Sequence, residues 1–162
     1  MSTFVPAIVE PGGVLPLCDA RLGDLYRYWL MIRPAPDLIP GRQHLEPTEI
    51  PQVVLPWIWL ADVHRNPLRF RYRLIGTGLV AAMGSDATGH WFEDVHPPFR
   101  QPGHYPEYVA AAENRKISLY RGPPIYSVTP DWNSLERLIL PMARNGRDVD
   151  MLLGAVVVFP RL

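Results

Sequence analysis

From Arg69 to Leu74 the chain alternates charge and bulk: Arg69, Arg71 and Arg73 interleave with Phe70, Tyr72 and Leu74. A period of two marks a β-strand with one buried and one wet face. The segment before it, Trp57 to His64, is apolar on both sides, with Trp57 and Trp59 on one face and Ile58 and Leu60 on the other. Met151 to Phe159, MLLGAVVVF, has the same character. Strands buried on both faces belong in the middle of a sheet covered above and below. The Arg65-Asn66-Pro67-Leu68 turn joins the first two as a hairpin. A period near 3.6 governs Asp19 to Arg33, where Leu22, Leu25, Tyr26, Trp29 and Leu30 form one stripe. Asp19 caps this helix and Pro34 stops it. Gly23 costs it about 1 kcal/mol against alanine, so packing must hold it in place.

Weaker signals fill the rest. Glu46 to Ile50 suits a short helix with Pro47 near its start. Thr77 caps a short helix over Gly78–Met83, Gly84 ends it, and Ser85 to Gly89 turns the chain into a helical turn at His90–His96. A longer helix starts at Pro106, with Glu107 at its positive end and Arg115-Lys116 at its negative end. Residues 117–126 read as a strand broken at Gly122-Pro123-Pro124, which confines it to an edge or bulge. Val128 to Asn133 is a turn-rich loop. Leu135 to Met142 is a strand with Leu138, Leu140 and Met142 on one face, and Asn145-Gly146 marks the following turn. The organisation expected is an extended or disordered arm at 1–18, a flanking helix and proline-rich connector at 19–41, and an α+β domain at 42–162.

Composition narrows the partners. Lys+Arg and Asp+Glu are both 16, so the formal net charge is zero and nothing favours nucleic acid or an anionic membrane. Cys18 is the single cysteine, which excludes an internal disulfide and fits a reducing, cytoplasmic setting. The N-terminal residues lack the basic stretch of a secretory signal, and no apolar run is long enough to span a bilayer. The 19 prolines fall mainly between periodic segments, as boundaries of a folded domain.

Three polar groups invite a chemical reading. His44, Glu46 and Glu49, like His90, Glu93 and Asp94, lack recognisable metal-ligand spacing and read as solvated polar surface. The arginine row reads as a solvated strand face with cross-strand partners, Asp62 among them. Gly84 to Gly89 fits neither the dinucleotide fingerprint nor the lysine-bearing phosphate loop. No nucleophile motif occurs, so no catalytic residue and no metal ligand is assigned. A lyase- or isomerase-type enzyme in a small α+β barrel is the alternative, with Asp62, His64 and Glu93 as its acid–base candidates. A purely structural interaction protein is a third reading.

The order of these pieces resembles the PAS domain, a sensory α+β module, and in particular a family of small bacterial proteins carrying one such domain. The resemblance covers about residues 20–160. It rests on Phe70 to Thr77 (FRYRLIGT), on the loop with Gly84, Asp86, Thr88 and Gly89, and on Glu136 to Pro141 (ERLILP). It implies a five-stranded antiparallel sheet with the first and last strands adjacent at its centre, short helices on one face, and the Pro106 helix walling a ligand pocket. Phe70, Tyr72, Leu74, Trp91, Phe92, Tyr108, Leu138 and Leu140 are the side chains expected around that pocket, unless they simply fill the core. Such a module acts through oligomerisation or a protein partner, and the ligand is not identified. The second apolar face of the central strands needs a cover, and the Asp19–Arg33 helix is at hand. A homodimer built on Leu22, Leu25, Tyr26, Trp29 and Leu30 is the expected assembly, with Tyr28 and Met31 adding surface. Flavin photosensors of this class need a cysteine in the core, and Cys18 precedes the domain; a haem would need His96 or His104. The expectation is a colourless protein with no cofactor.

Overall fold

A computed structural model describes residues 6–100, 104–123 and 132–160, leaving residues 1–5 of the arm and most of the expected 128–133 loop outside. Strands are β1 (Ala7–Val9), β2 (Ile58–His64), β3 (Arg69–Ile75), β4 (Ile117–Gly122), β5 (Trp132–Met142) and β6 (Met151–Pro160). Helices are α1 (Ala20–Met31), α2 (Thr77–Met83), α3 (Phe92–Val95) and α4 (Tyr105–Asn114). The strands form one antiparallel sheet in the order β1-β4-β5-β6-β2-β3. The expected centre is present, with Trp59 opposite Gly154 where β2 meets β6. The expected count of five becomes six. Ala7–Val9, from the arm, pairs with Leu119–Ile117 of β4. Prolines 6 and 11 flank this apolar triplet without interrupting it, as an edge strand allows. Glu10 then pairs with Lys116. So β4, expected at an edge, is partly covered. The expected helix at Glu46–Ile50 is a series of turns that anchors Ile50 and Val54 in the core.

One irregularity decides which residues face which side. Leu60 opposes Leu74, but the next residue, Ala61, opposes Tyr72, so Arg73 is an extra residue in β3. Such a β-bulge resets the alternation beyond it. Tyr72 and Ile75 therefore share the face of Trp59, while Leu74 turns to the face of Leu60 and is 41% exposed.

Helices α2, α3 and α4 lie on the Trp59 face. Helix α1 covers the opposite one, with Leu22, Leu25 and Trp29 fully buried. Each side chain of that size contributes about 1.5–3 kcal/mol on burial. The Asp19 side chain accepts from the Arg21 amide as the N-cap. The Trp29 indole N–H donates to the Pro141 carbonyl at 3.0 Å. That carbonyl is available because β4 pairing on this side of β5 ends at Ile139, which is also why a proline is tolerated there. Beyond it, the Ala143 amide donates to the Pro40 carbonyl and the Ile39 amide to the Gly146 carbonyl, so the connector continues the edge.

The indole of Trp59 lies directly on Gly154, where a Cβ would come within 1.9 Å of the ring. Gly154→Ala must displace the largest side chain at the centre of the sheet, with an expected loss of roughly 1–3 kcal/mol. Urea unfolding of the variant measures it, and an unchanged midpoint would show that Trp59 has slack.

Candidate functional site

The Trp59 face is divided in two. At the Phe70 end of β3, Phe70, Phe92, Phe99 and Tyr108 close solidly, each 4% exposed or less. Phe92 stacks on Tyr72 at 4.2 Å and meets Phe99 edge-on at 5.3 Å, spacings at which aromatic pairs attract. At the Ile75 end, beside Trp59, lies a cavity of about 80 Å³. Its apolar wall is Trp59, Ile75, Leu79, Met83, Val156 and Val158. Helix α2 supplies the outer part of this wall, held between Gly76 and the left-handed Gly84 at φ 82°.

The other end of the cavity is polar and buried. Tyr72 Oη and His96 Nε2 are 2.7 Å apart. Arg137 Nη2 donates to Glu107 Oε2 at 2.6 Å and lies 3.1 Å from His104 Nδ1. The Ser118 hydroxyl donates to the second Glu107 oxygen. The Arg137 guanidinium sits between the rings of Tyr108 and Tyr120, at 5.2 and 5.0 Å, a favourable place for a cation. Burial pushes the Glu107 carboxyl up, but His104, Arg137 and Ser118 more than offset this and leave it below the ordinary range. Burial, with the Arg137 charge beside it, holds His96 down at about 4, so its imidazole is neutral at pH 7. Burial raises the Tyr108 phenol to about 12.

Of the residues expected around a pocket, Tyr72 and Tyr108 line the cavity. Phe70 and Phe92 belong to the solid half. Trp91 lies outside, stacked on the Arg69 guanidinium at 3.8 Å and edge-on to His64 at 4.9 Å. Leu74 is turned away by the bulge. Leu138 and Leu140 share the face of Glu136, under α1, because in β5 it is Leu135 and Arg137 that face the cavity. Phe70, Leu74, Trp91, Phe92, Leu138 and Leu140 are thus outside its lining. The stripe expected at a dimer interface is used within the chain: Leu22, Leu25, Tyr26 and Trp29 are buried against its own sheet and Leu30 is half-buried. Tyr28 is buried too, accepting from the Glu46 amide, while Met31 is 70% exposed.

The acid–base candidates do not meet in the cavity. Asp62 pairs with Arg73 at 3.1 Å, the cross-strand partner expected for the arginine row. His64 is exposed at the end of β2, and Glu93 accepts from Arg69 at 2.8 Å. His44 Nδ1 accepts from the Gly41 amide. Among the described residues no group of three or more metal-ligating side chains is assembled, and no helix is long and apolar enough to cross a membrane. Cys18 is half-buried on the α1 side, where burial and the Glu136 charge raise its thiol pKa. Sequence reasoning missed Arg137, Glu107 and Ser118. The available signal was the adjacent charged pair Glu136-Arg137 inside an otherwise apolar strand, since charges there require partners.

A family model described as a PAS domain matches residues 19–157. No curated protein matches the sequence. A solved structure titled "Structure of an RNA-binding Light-Oxygen-Voltage Receptor" is 14% identical with a TM-score of 0.49, over 96% of this chain and 38% of that one. The chain thus spans well under half the length of that receptor.

The neutral His96 sets a pH dependence. The unfolded imidazole takes up a proton near 6.5 and the folded one near 4, so stability present above 6.5 is lost as pH falls through that window. Between pH 7 and 4.5 the wild type is expected to lose roughly 2–3 kcal/mol more than His96→Asn. Urea titrations of both proteins at the two pH values test this, and parallel losses would place the proton elsewhere.

Proposed function

Because the chain belongs to the PAS domain family, we propose that it is a sensory domain that takes up a small molecule beside Trp59 and signals by contact with another protein chain. One observation carries the reading: the core is solid on one side of Trp59 and hollow on the other, and the hollow ends in buried polar groups. A cavity that combines apolar walls with a few convergent polar groups is the usual form of a small-molecule site. Binding without catalysis is favoured because Asp62, His64 and Glu93 lie outside it. For output, Val14, Leu17 and Met31, 90%, 91% and 70% exposed, offer apolar contacts along the arm and the end of α1. A second copy of the chain is the partner we propose, and the cytoplasm, on the strength of the single Cys18, the location.

Native mass spectrometry of protein purified from its own host is expected to show a retained small molecule. Val156→Phe, which fills the hollow, is expected to lose that mass while keeping a folded circular-dichroism spectrum. Retention of the same ligand by the filled variant would move binding away from this cavity. Light scattering at tens of micromolar is expected to give twice the monomer mass, and a monomer would sink the assembly.

A further inference from the structure

Helix α1 packs on β5 and β6, which leaves part of the Leu60 face open. An open groove of about 520 Å³ lies there, with Leu60, Leu74 and Met151 as its apolar lining. Two local features build it. The extra Arg73 in β3 turns Leu74 out of the core and onto this face, where it is 41% exposed. Gly41 lets the connector run against the end of β5: a Cβ there would meet the Ala143 carbonyl at 2.7 Å and the Arg144 Cα at 2.9 Å. The Gln43 side chain closes this contact by donating to the Arg144 carbonyl at 2.8 Å. Arg42 and Arg144 are thereby held on neighbouring stretches of backbone, and both line the groove.

Charge separates this groove from ordinary wet surface. Arg42 and Arg144 are exposed, and among the described residues neither guanidinium has an ion pair or a hydrogen bond. Arg73 meets Asp62 at 3.1 Å, but its side chain is 62% exposed, so water screens the pair and Arg73 can turn to another carboxylate. Asp150, the second acid of the lining, accepts from the Arg144 amide at 3.3 Å. Three arginines against two aspartates leave the groove positive. An incoming anion relieves the repulsion between like charges held on one surface.

The guanidinium fork suits a carboxylate or a phosphate, and the rest of the lining selects between their carriers. No aromatic ring lines the groove, so the bases of a single-stranded nucleic acid find no stacking surface. Asp62 and Asp150 repel a continuous phosphate chain. A peptide can instead set carboxylates at the arginines and lay an aliphatic side chain between them on Leu74. The volume, against roughly 150 Å³ for an engineered cavity that holds benzene, suits a short segment better than a free ion.

We propose that this groove docks an acidic peptide segment of a partner protein, with carboxylates on Arg42 and Arg144 and an aliphatic side chain against Leu74. The site is separate from the cavity beside Trp59 and from the self-contact at Val14, Leu17 and Met31.

Fluorescence anisotropy of labelled peptides titrated with the full chain tests it. The probes are Glu-Asp-Leu-Glu-Asp, its amide form Gln-Asn-Leu-Gln-Asn, its serine form Glu-Asp-Ser-Glu-Asp, and the basic Lys-Lys-Leu-Lys-Lys. The acidic leucine peptide is expected to bind at least roughly tenfold more tightly than the amide form. Its binding is expected to weaken as salt rises from about 50 to about 500 mM, and to weaken when serine replaces leucine. The double variant Arg42→Glu with Arg144→Glu is expected to keep the wild-type urea midpoint, lose the acidic peptide and gain the basic one. Arg42→Gln with Arg144→Gln is expected to lose the acidic peptide without gaining the basic one. Equal binding of the acidic form and either its amide or its serine form overturns the inference, as does acidic binding that survives both double variants. Tighter binding of a labelled oligothymidylate at the same salt assigns the groove to nucleic acid and overturns it. Loss of the dimer mass in the double variants assigns the groove to a second copy, with the same consequence. No binding of the acidic peptide at millimolar concentration also overturns it, while the ligand retained beside Trp59 is measured independently.

Discussion

The structure depends on two ions placed back to back in β5. Glu136 and Arg137 are neighbours in a strand covered on both faces, and they are 3% and 4% exposed. Successive residues of a strand point to opposite sides, so each ion needs its own partner. On the α1 side, Glu136 accepts the Asp19 amide at 2.7 Å and two Arg121 nitrogens at 2.9 and 3.1 Å. That fixes where α1 begins, and Arg121 also reaches the Leu17 carbonyl. On the cavity side, Arg137 takes Glu107 from α4. The two ties differ in strength. The Arg121 side chain is 50% exposed, so water screens its pair, whereas Arg137–Glu107 is almost fully enclosed. Removing one partner of an enclosed pair costs about 3–5 kcal/mol. The position of α4, and with it the wall of the cavity, is therefore the more firmly set.

Much of this fold was legible because hydrophobic periodicity reports burial. Trp57 to Leu60 and Met151 to Phe159 are apolar on both faces, and β2 and β6 are the central neighbours that this pattern requires. The amphipathic stripe gave α1, and glycine punctuation gave the end of α2 and the turn at Gly146, whose φ is 82°. Edges were less legible. Ala7–Val9 is too short and too hemmed by prolines to register as a strand, and it becomes one only because β4 offers it a free side. A helical stripe likewise shows only that something covers it, and here its own sheet does so.

The site was legible in part, and its misplacements have two physical sources. Periodicity says which residues share a face but not which layer that face meets. Leu138 and Leu140 were grouped correctly with each other, and the group belongs under α1. Leu74 fell to the bulge, since the extra Arg73 leaves no trace in a sequence that alternates perfectly through it. Glu107, in the first turn of α4, is placed to complement the helix dipole. Its stronger interaction is with a residue thirty positions away, and local pattern carries no information about that.

Why a hollow survives on only one side of Trp59 follows from the same residues. Gly154 lets the indole lie flat on β6, so Trp59 stands as a partition between the two halves. Towards Phe70, rings are stacked on rings, and aromatic side chains can close space without leaving polar atoms to satisfy. Towards β5, Arg137 must be kept with Glu107, His104 and two tyrosines around it, and a polar cluster of that kind cannot be compressed like hydrocarbon. The opposing wall is the short helix α2, whose buried side chains are only Leu79 and Ala82. Rigid polar groups on one side and small apolar ones on the other leave volume unfilled, and the cavity lies at that junction.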